Sequence, residues 1–313
     1  LALSPNTTGV SNTALGAYAL DEAGAQNHNT AIGYGAIGGS STGSSNTAVG
    51  SSALASNANS YNTAVGKDAS KSNTSGTRNT AVGAFALDDV ASANNNTGIG
   101  YGALSATSCG SSCTAVGANA LVANEESFNT AVGDSVLQLN TSGTRNSAIG
   151  AFAMDAHTTG NDSTALGYGS LSASTTGHSN VAVGSLALLS MTTGTFNVAV
   201  GKDTLDVLTT GAYNVCVGNN AGDNVTTGNI NTCIGQDAGK SITTGSQNIM
   251  IGLDAGRSNS PSGDVSTGSH QVCIGDNAIT NAFIKVAFTT GSDKRDKTDI
   301  EDFKFGLDWI NKM

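Results

Sequence analysis

The chain has 313 residues, with 41 Gly, two Pro, one Trp, 12% charged side chains and a net charge of −10. Large apolar side chains are too few to fill a rounded core, and the acidic balance argues against nucleic-acid binding. No run of about 18 apolar residues occurs, so no membrane insertion is expected. The first residues are Leu-Ala-Leu without a Met, which reads as a fragment whose missing start leaves room for a targeting signal.

Residues 1–11 read as a partial coil. A unit then recurs from residue 12 to residue 279, with the pattern Asn-Thr-Ala-Val-Gly-x-x-Ala-Leu followed by a polar stretch that often contains Thr-Thr-Gly. Its glycines begin Gly16, Gly33, Gly50, Gly66 and Gly83 and end at Gly275; most gaps are 17 residues, two are 16 and the last is 23. A short fixed period is the signature of a solenoid. Asn, Thr and Gly in every unit break any helical period.

Within a unit, Thr80 and Val82 lie two apart and share one face of a short strand. That face is predicted to point inward, with Val49, Val65 and Val82 in the core column. Asn, Ala and Gly take the opposite face, where small side chains would let another chain approach. The Ala-Leu pair is predicted to form a second short strand, turned back by the Thr-Thr-Gly region. The fold class is therefore all-β: a narrow parallel β-solenoid of about sixteen 17-residue coils, stacked about 4.8 Å apart into a rod of about 75 Å.

Asn occupies the first position in 13 of 16 copies, including Asn12, Asn29, Asn46, Asn62, Asn79 and Asn96; the exceptions are Cys113, Ser163 and Gln271. The column reads either as a hydrogen-bonded amide ladder or as a run of good turn residues.

A longer period overlies the short one. Tyr34, Tyr101 and Tyr168 are 67 residues apart, as are Tyr18, Phe85 and Phe152. Duplication of a four-coil block explains the spacing. As a functional reading, Tyr34, Tyr101 and Tyr168 are candidate glycan contacts, since exposed aromatic rings stack on sugars. Cys216, Cys233 and Cys273 stand in the Ala column and read as small buried apolar residues. Cys109 and Cys113 flank a turn where a local disulfide is one option. No Cys/His metal pattern appears, and neither a metal nor a cofactor is expected.

From residue 180 the Thr column becomes Val181, Val198 and Val215, and from residue 221 the Leu column becomes Gly222, Gly239 and Gly256. Asp237 and Asp254, one coil apart, read either as a cation site or as a solvated pair. Residues 257–270 interrupt the period. Residues 1–279 thus read as the repeat shaft, 280–291 as a closing strand and connector, and 292–313 as the start of a truncated C-terminal domain. That last segment holds 11 charged residues in 22, and Ile300, Phe303, Leu307 and Ile310 follow helical spacing.

The Asn-Thr-Ala-Val-Gly-x-x-Ala-Leu repeats resemble the head repeats of YadA-like trimeric autotransporter adhesins, and also look like those of phage tail fibres. That resemblance implies three chains packed side by side. Residues 292–300 (Ser-Asp-Lys-Arg-Asp-Lys-Thr-Asp-Ile) and 306–310 resemble the opening of the intramolecular chaperone domain of endosialidase-type tail spikes. The likeness implies Ser292 as the nucleophile and Lys297 as the base of an autocleavage carried out by the complete domain only. No other catalytic motif stands out, so the chain is not read as an enzyme. An ice-binding face is discounted because the Thr column turns into Val without breaking the repeat. The expected function is a homotrimeric phage tail fibre or spike shaft in the virion, attaching to a host cell-surface receptor such as a glycan. The alternative is an adhesin on the bacterial cell surface.

Overall fold

The computed structural model describes residues 2–4, 6–21, 24–39 and 43–281. They contain sixteen three-residue strands and no helix. The strands run from β1 (Thr13–Leu15) and β2 (Thr30–Ile32) through β5 (Thr80–Val82), β6 (Thr97–Ile99), β13 (Val215–Val217) and β14 (Thr232–Ile234) to β16 (Val272–Ile274), numbered in chain order. Each pairs with the next in one 16-stranded sheet. Pairing is parallel and keeps like residues level: Thr80 with Thr97, Ala81 with Gly98, Val82 with Ile99. This is a parallel β-solenoid with one coil per repeat. At about 4.8 Å per step the sheet is about 70 Å long. The solenoid unit spans Leu1–Ala278. The expected closing strand at 282–288 and the C-terminal helix lie outside the described residues.

The faces of the strand are the reverse of the sequence expectation. The central Ala points inward: Ala31, Ala48, Ala64, Ala81 and Ala115 have no exposed surface. Thr80 and Val82 are only half-buried, and Val65 and Ile99 are 37% and 39% exposed. The reason is the narrowness of the coil. The inward residue of the strand packs against the Leu column, where a Cβ on Gly98 would meet the Leu87 side chain at 3.2 Å, so a small residue suits the place opposite Leu. β-branched residues favour the strand backbone whichever face they occupy, so Val marks the strand without marking its inside.

After each strand a glycine turns the chain. Gly66 has φ +141°, and a Cβ there would lie 2.4 Å from the carbonyl oxygen of Gly83. No other residue tolerates that approach.

The predicted second strand is absent; the Ala-Leu segment is a turn. Phe85 and Leu87 both have left-handed backbones, with φ of 60° and 52°. The N–H of Phe85 donates back one coil to the Lys67 carbonyl (3.0 Å), and that of Leu87 donates forward to the Ala103 carbonyl (2.9 Å). Hydrogen bonds on both sides hold a conformation that costs a bulky residue roughly 1–2 kcal/mol. Burial of each Leu, about 2 kcal/mol of apolar transfer, offsets it.

The column change near residue 221 follows from packing. A Cβ on Gly222 would meet the Cys216 sulfur at 2.9 Å, one on Gly239 the Cys233 sulfur at 2.3 Å, and one on Gly256 the Met250 sulfur at 2.6 Å. At Cys216, Cys233 and Met250 the strand's inward residue has grown from Ala, and the Leu opposite has shrunk to Gly. The core volume is shared differently but stays filled.

Candidate functional site

The Asn column is a buried ladder, but its links are not amide to amide alone. The side-chain oxygen of each Asn accepts the backbone N–H of the next: Asn12 from Asn29 (2.9 Å), Asn29 from Asn46 (2.8 Å), Asn46 from Asn62 (2.8 Å), Asn62 from Asn79 and Asn79 from Asn96 (both 3.0 Å). The amide nitrogen of Asn79 donates to the Ala93 carbonyl (2.7 Å), and that of Asn96 to the Gly110 carbonyl (2.8 Å). Asn is thus demanded by both ends of its amide. In later coils the amides also touch directly, as between Asn231 and Asn214 (3.1 Å). These are structural contacts, with no surface to offer a ligand.

The solvent face of the sheet carries an apolar stripe. Leu15, Val65, Ile99, Ile149, Leu166, Val217, Ile234, Ile251 and Ile274 are exposed at successive places along it, with Val49 and Val82 half-buried. From β13 onward the first strand position adds Val215, Ile249 and Val272. Isolated apolar residues on a surface mean little, but a continuous stripe of this length is unusual for a solitary chain.

The predicted glycan contacts are exposed, with Tyr34 at 60%, Tyr101 at 58% and Tyr168 at 57%. Each is half of a pair: Tyr18 with Tyr34, Phe85 with Tyr101 and Phe152 with Tyr168 meet edge to face at 5.5, 5.6 and 6.0 Å between centroids. The three dyads stand four coils apart. A second aromatic group, unexpected from the sequence, stacks Phe196 on Tyr213 at 5.0 Å with His178 edge-on to Phe196. Its signal was the recurrence of an aromatic residue just before the Asn column.

The Asp237–Asp254 pair is answered by the chain's own cations. Lys240 lies 3.0 Å from Asp223 and 3.3 Å from Asp237, and Arg257 pairs with Asp254. Among the described residues no group of three or more His, Cys, Asp or Glu is placed to hold a metal ion. Upstream, in the column of Asp223, Lys240 and Arg257, burial and the neighbouring Asp223 carboxylate push Asp206 up to about 7. Burial holds His157 below the ordinary imidazole value; its Nε2 faces the Gly160 carbonyl at 2.9 Å and its Nδ1 the Ser174 hydroxyl at 3.2 Å. The carbonyl needs a donor, so Nε2 carries the proton and Nδ1 accepts from Ser174.

Cys216, Cys233 and Cys273 are buried as the sequence suggested, and all five cysteines are free thiols. Ser292 and Lys297 lie outside the described residues. No helix among the described residues is long and apolar enough to cross a membrane. No protein-family model matches the chain, and no curated protein matches it.

Proposed function

We propose that the chain is the shaft of a host-attachment fibre in which three copies pack along their sheets. The carrying observation is the solvent-facing stripe from Leu15 to Ile274, an apolar seam running the length of the solenoid unit. A thin coil with an Ala-sized interior buries little apolar surface by itself, and a self-complementary seam would bury more. In this reading the contact lies on the Val and Thr face and not on the Ala face, which is occupied inside the coil. The repeat resemblance supports the number three. The resemblance of residues 292–310 supports a phage tail fibre matured by autocleavage at Ser292 with Lys297 as base. A bacterial surface adhesin of the same architecture is the second reading, favoured by the same seam.

The aromatic dyads at Tyr34, Tyr101 and Tyr168 then serve as sugar-stacking points. They stand about 19 Å apart, four coil steps, so one extended glycan could touch more than one.

Sedimentation of the shaft, produced with the coding segment that follows it, tests the assembly. A species of three times the chain mass is expected, shifting toward monomer when Ile99, Ile149 and Leu166 are all replaced by Asp. A stable, soluble monomer of the unaltered shaft overturns the proposal.

A further inference from the structure

The inward place of the strand changes its chemistry at β13. From β1 up to that point every occupant is Ala or Gly; from there on the occupants are Cys216, Cys233, Met250 and Cys273. The glycines opposite explain why the first three are larger than Ala, but volume alone would admit Val, Ile or Leu. Sulfur fills every one of these places. The residues stand level on adjacent strands, Cys216 with Cys233, Cys233 with Met250, and Met250 with Cys273.

The turn glycines fix where the sulfurs lie. A Cβ on Gly222 would fall 2.9 Å from Cys216 Sγ, one on Gly239 2.3 Å from Cys233 Sγ, and one on Gly256 2.6 Å from Met250 Sδ. Gly222 and Gly239 have φ of +63° and +65°, and their N–H groups donate to the Ala238 and Ala255 carbonyls of the next coil at 2.9 and 2.8 Å. The turns are stacked copies, so each sulfur rests against the same turn position one coil step from the last. That step is about 4.8 Å, and its midpoint lies about 2.4 Å from each sulfur. A metal–sulfur bond is about 2.3 Å long. The surroundings are dry: Leu205, Val225 and Ile242 border the same glycines, and these three residues, Cys216, Cys233 and Met250 have no exposed surface.

We propose that this sulfur row is a binding site for a soft monovalent cation, Cu(I), held in line between Cys233 Sγ and Met250 Sδ. Thiolate and thioether donors select Cu(I), which is satisfied by two ligands in line, whereas Zn(II) wants four. Charge decides which pair of sulfurs it takes. One thiolate and one thioether around a single positive charge are neutral, and a dry core penalises any net charge. Two thiolates around the same ion would leave a buried negative charge. Burial also holds Cys216 well above the ordinary thiol value, so it stays protonated beside the site. The step balances: Cu(I) joins the Cys233 and Met250 sulfurs, and the Cys233 proton leaves to solvent. Because the row is enclosed, the ion enters as the coils close on one another during folding.

The test refolds the full chain from denaturant, under argon with a thiol-free reductant, with an equimolar amount of Cu(I) supplied as its acetonitrile complex. The product is then passed over a strong Cu(I) chelator. The unaltered chain should keep a single copper, and X-ray absorption should find two sulfur neighbours at about 2.3 Å with no nitrogen or oxygen. Retention should strengthen as pH rises, since one proton leaves for each ion bound. Met250→Leu keeps the shape and removes a donor. Contacts outside the ligand shell already carry roughly 10–100-fold in metal affinity, so this variant should bind about 100-fold more weakly or worse. Cys233→Ala should keep no copper, while Cys216→Ala should keep it. Copper should raise the melting temperature of the unaltered chain and of Cys216→Ala but not of Met250→Leu, whose copper-free melt reports that it folds. The proposal is overturned if the unaltered chain keeps no copper, if folded Met250→Leu holds it as tightly, or if nitrogen or oxygen ligands are found. Loss of copper from folded Cys216→Ala overturns it too, because the ion would then lie between two thiolates.

Discussion

His157 shows how one side chain in a shared column sets a pH response. It stands inside the coil with no exposed surface, where Asn140 stands one coil earlier. The two play the same part: the amide of Asn140 donates to the Gly143 carbonyl at 3.0 Å, as the His157 ring does to Gly160. Only the ring can take up a proton, and burial holds its folded value below the ordinary 6.5. The unfolded chain therefore binds the proton first. Stability rises with pH across that window and is lost as pH falls below about 6.5. Thermal melts at about pH 7.5 and about pH 5 should show a larger drop for the wild-type chain than for His157→Asn. Equal drops would mean that the ring is solvated. The strand residues make a second contrast at this scale. Val82→Asp places its charge on the half-exposed face and should change the melting of a single chain by less than about 1 kcal/mol. Ala81→Asp buries the carboxylate and should cost several kcal/mol or force its protonation. Reading this polarity from sequence fails for a physical reason. Hydrophobicity singles out the larger residue as core, but in a coil this thin the available space selects Ala. The clue was there in the replacements of that column, Gly98, Cys216 and Met250, which never include a polar residue.

At the scale of one coil, the strand and its glycine turn were legible, because a β-branched pair two apart before Gly has few other solutions. The Leu turn was not. Leu has no preference for a left-handed backbone, and Leu87 adopts one in a turn tied to both neighbouring coils, by Phe85 to the Lys67 carbonyl and by Leu87 to the Ala103 carbonyl. The later glycines of that column, with φ of +63° at Gly222 and +65° at Gly239, were the readable sign of it. Their exchange with the strand's inward residue can be tested as a pair. Gly239→Leu drives a Cβ to 2.3 Å from the Cys233 sulfur and should destabilise by roughly 1–3 kcal/mol. Adding Cys233→Ala recreates the Ala81 and Leu87 pairing and should recover most of that loss. A denaturant double-mutant cycle measures the coupling, and additive losses would show that the two residues do not share one space.

At the scale of the solenoid unit, each coil contacts only its neighbours, so stability should behave as a chain of nearest-neighbour terms. The sequence announces this through its period, and the in-register pairing of all sixteen strands follows from it. What the period cannot announce is which outer surface meets another molecule, since that depends on which face of each strand turns out. The four-coil block offers the sharpest test of nearest-neighbour stacking. Asn79 and Asn146 occupy equivalent places 67 residues apart, each preceded by the same Asn-Thr-Ser-Gly-Thr-Arg run. Removing residues 80–146 joins Asn79 to Ser147, the junction that Asn146 already makes. Asn62 still offers its side-chain oxygen to Asn79, and Asn79 takes over the acceptor role that Asn146 plays toward Ser163 at 3.0 Å. Every backbone ladder bond is then replaced by an equivalent one. Small-angle scattering of the solenoid should show a rod shorter by about 19 Å with its cross-section unchanged. A deletion of half a coil, removing residues 80–87, shifts strand against turn and should abolish cooperative unfolding of the coils beside it. If the block deletion were as damaging as the half-coil deletion, stability would reside in long-range contacts and not in the stacking of neighbours.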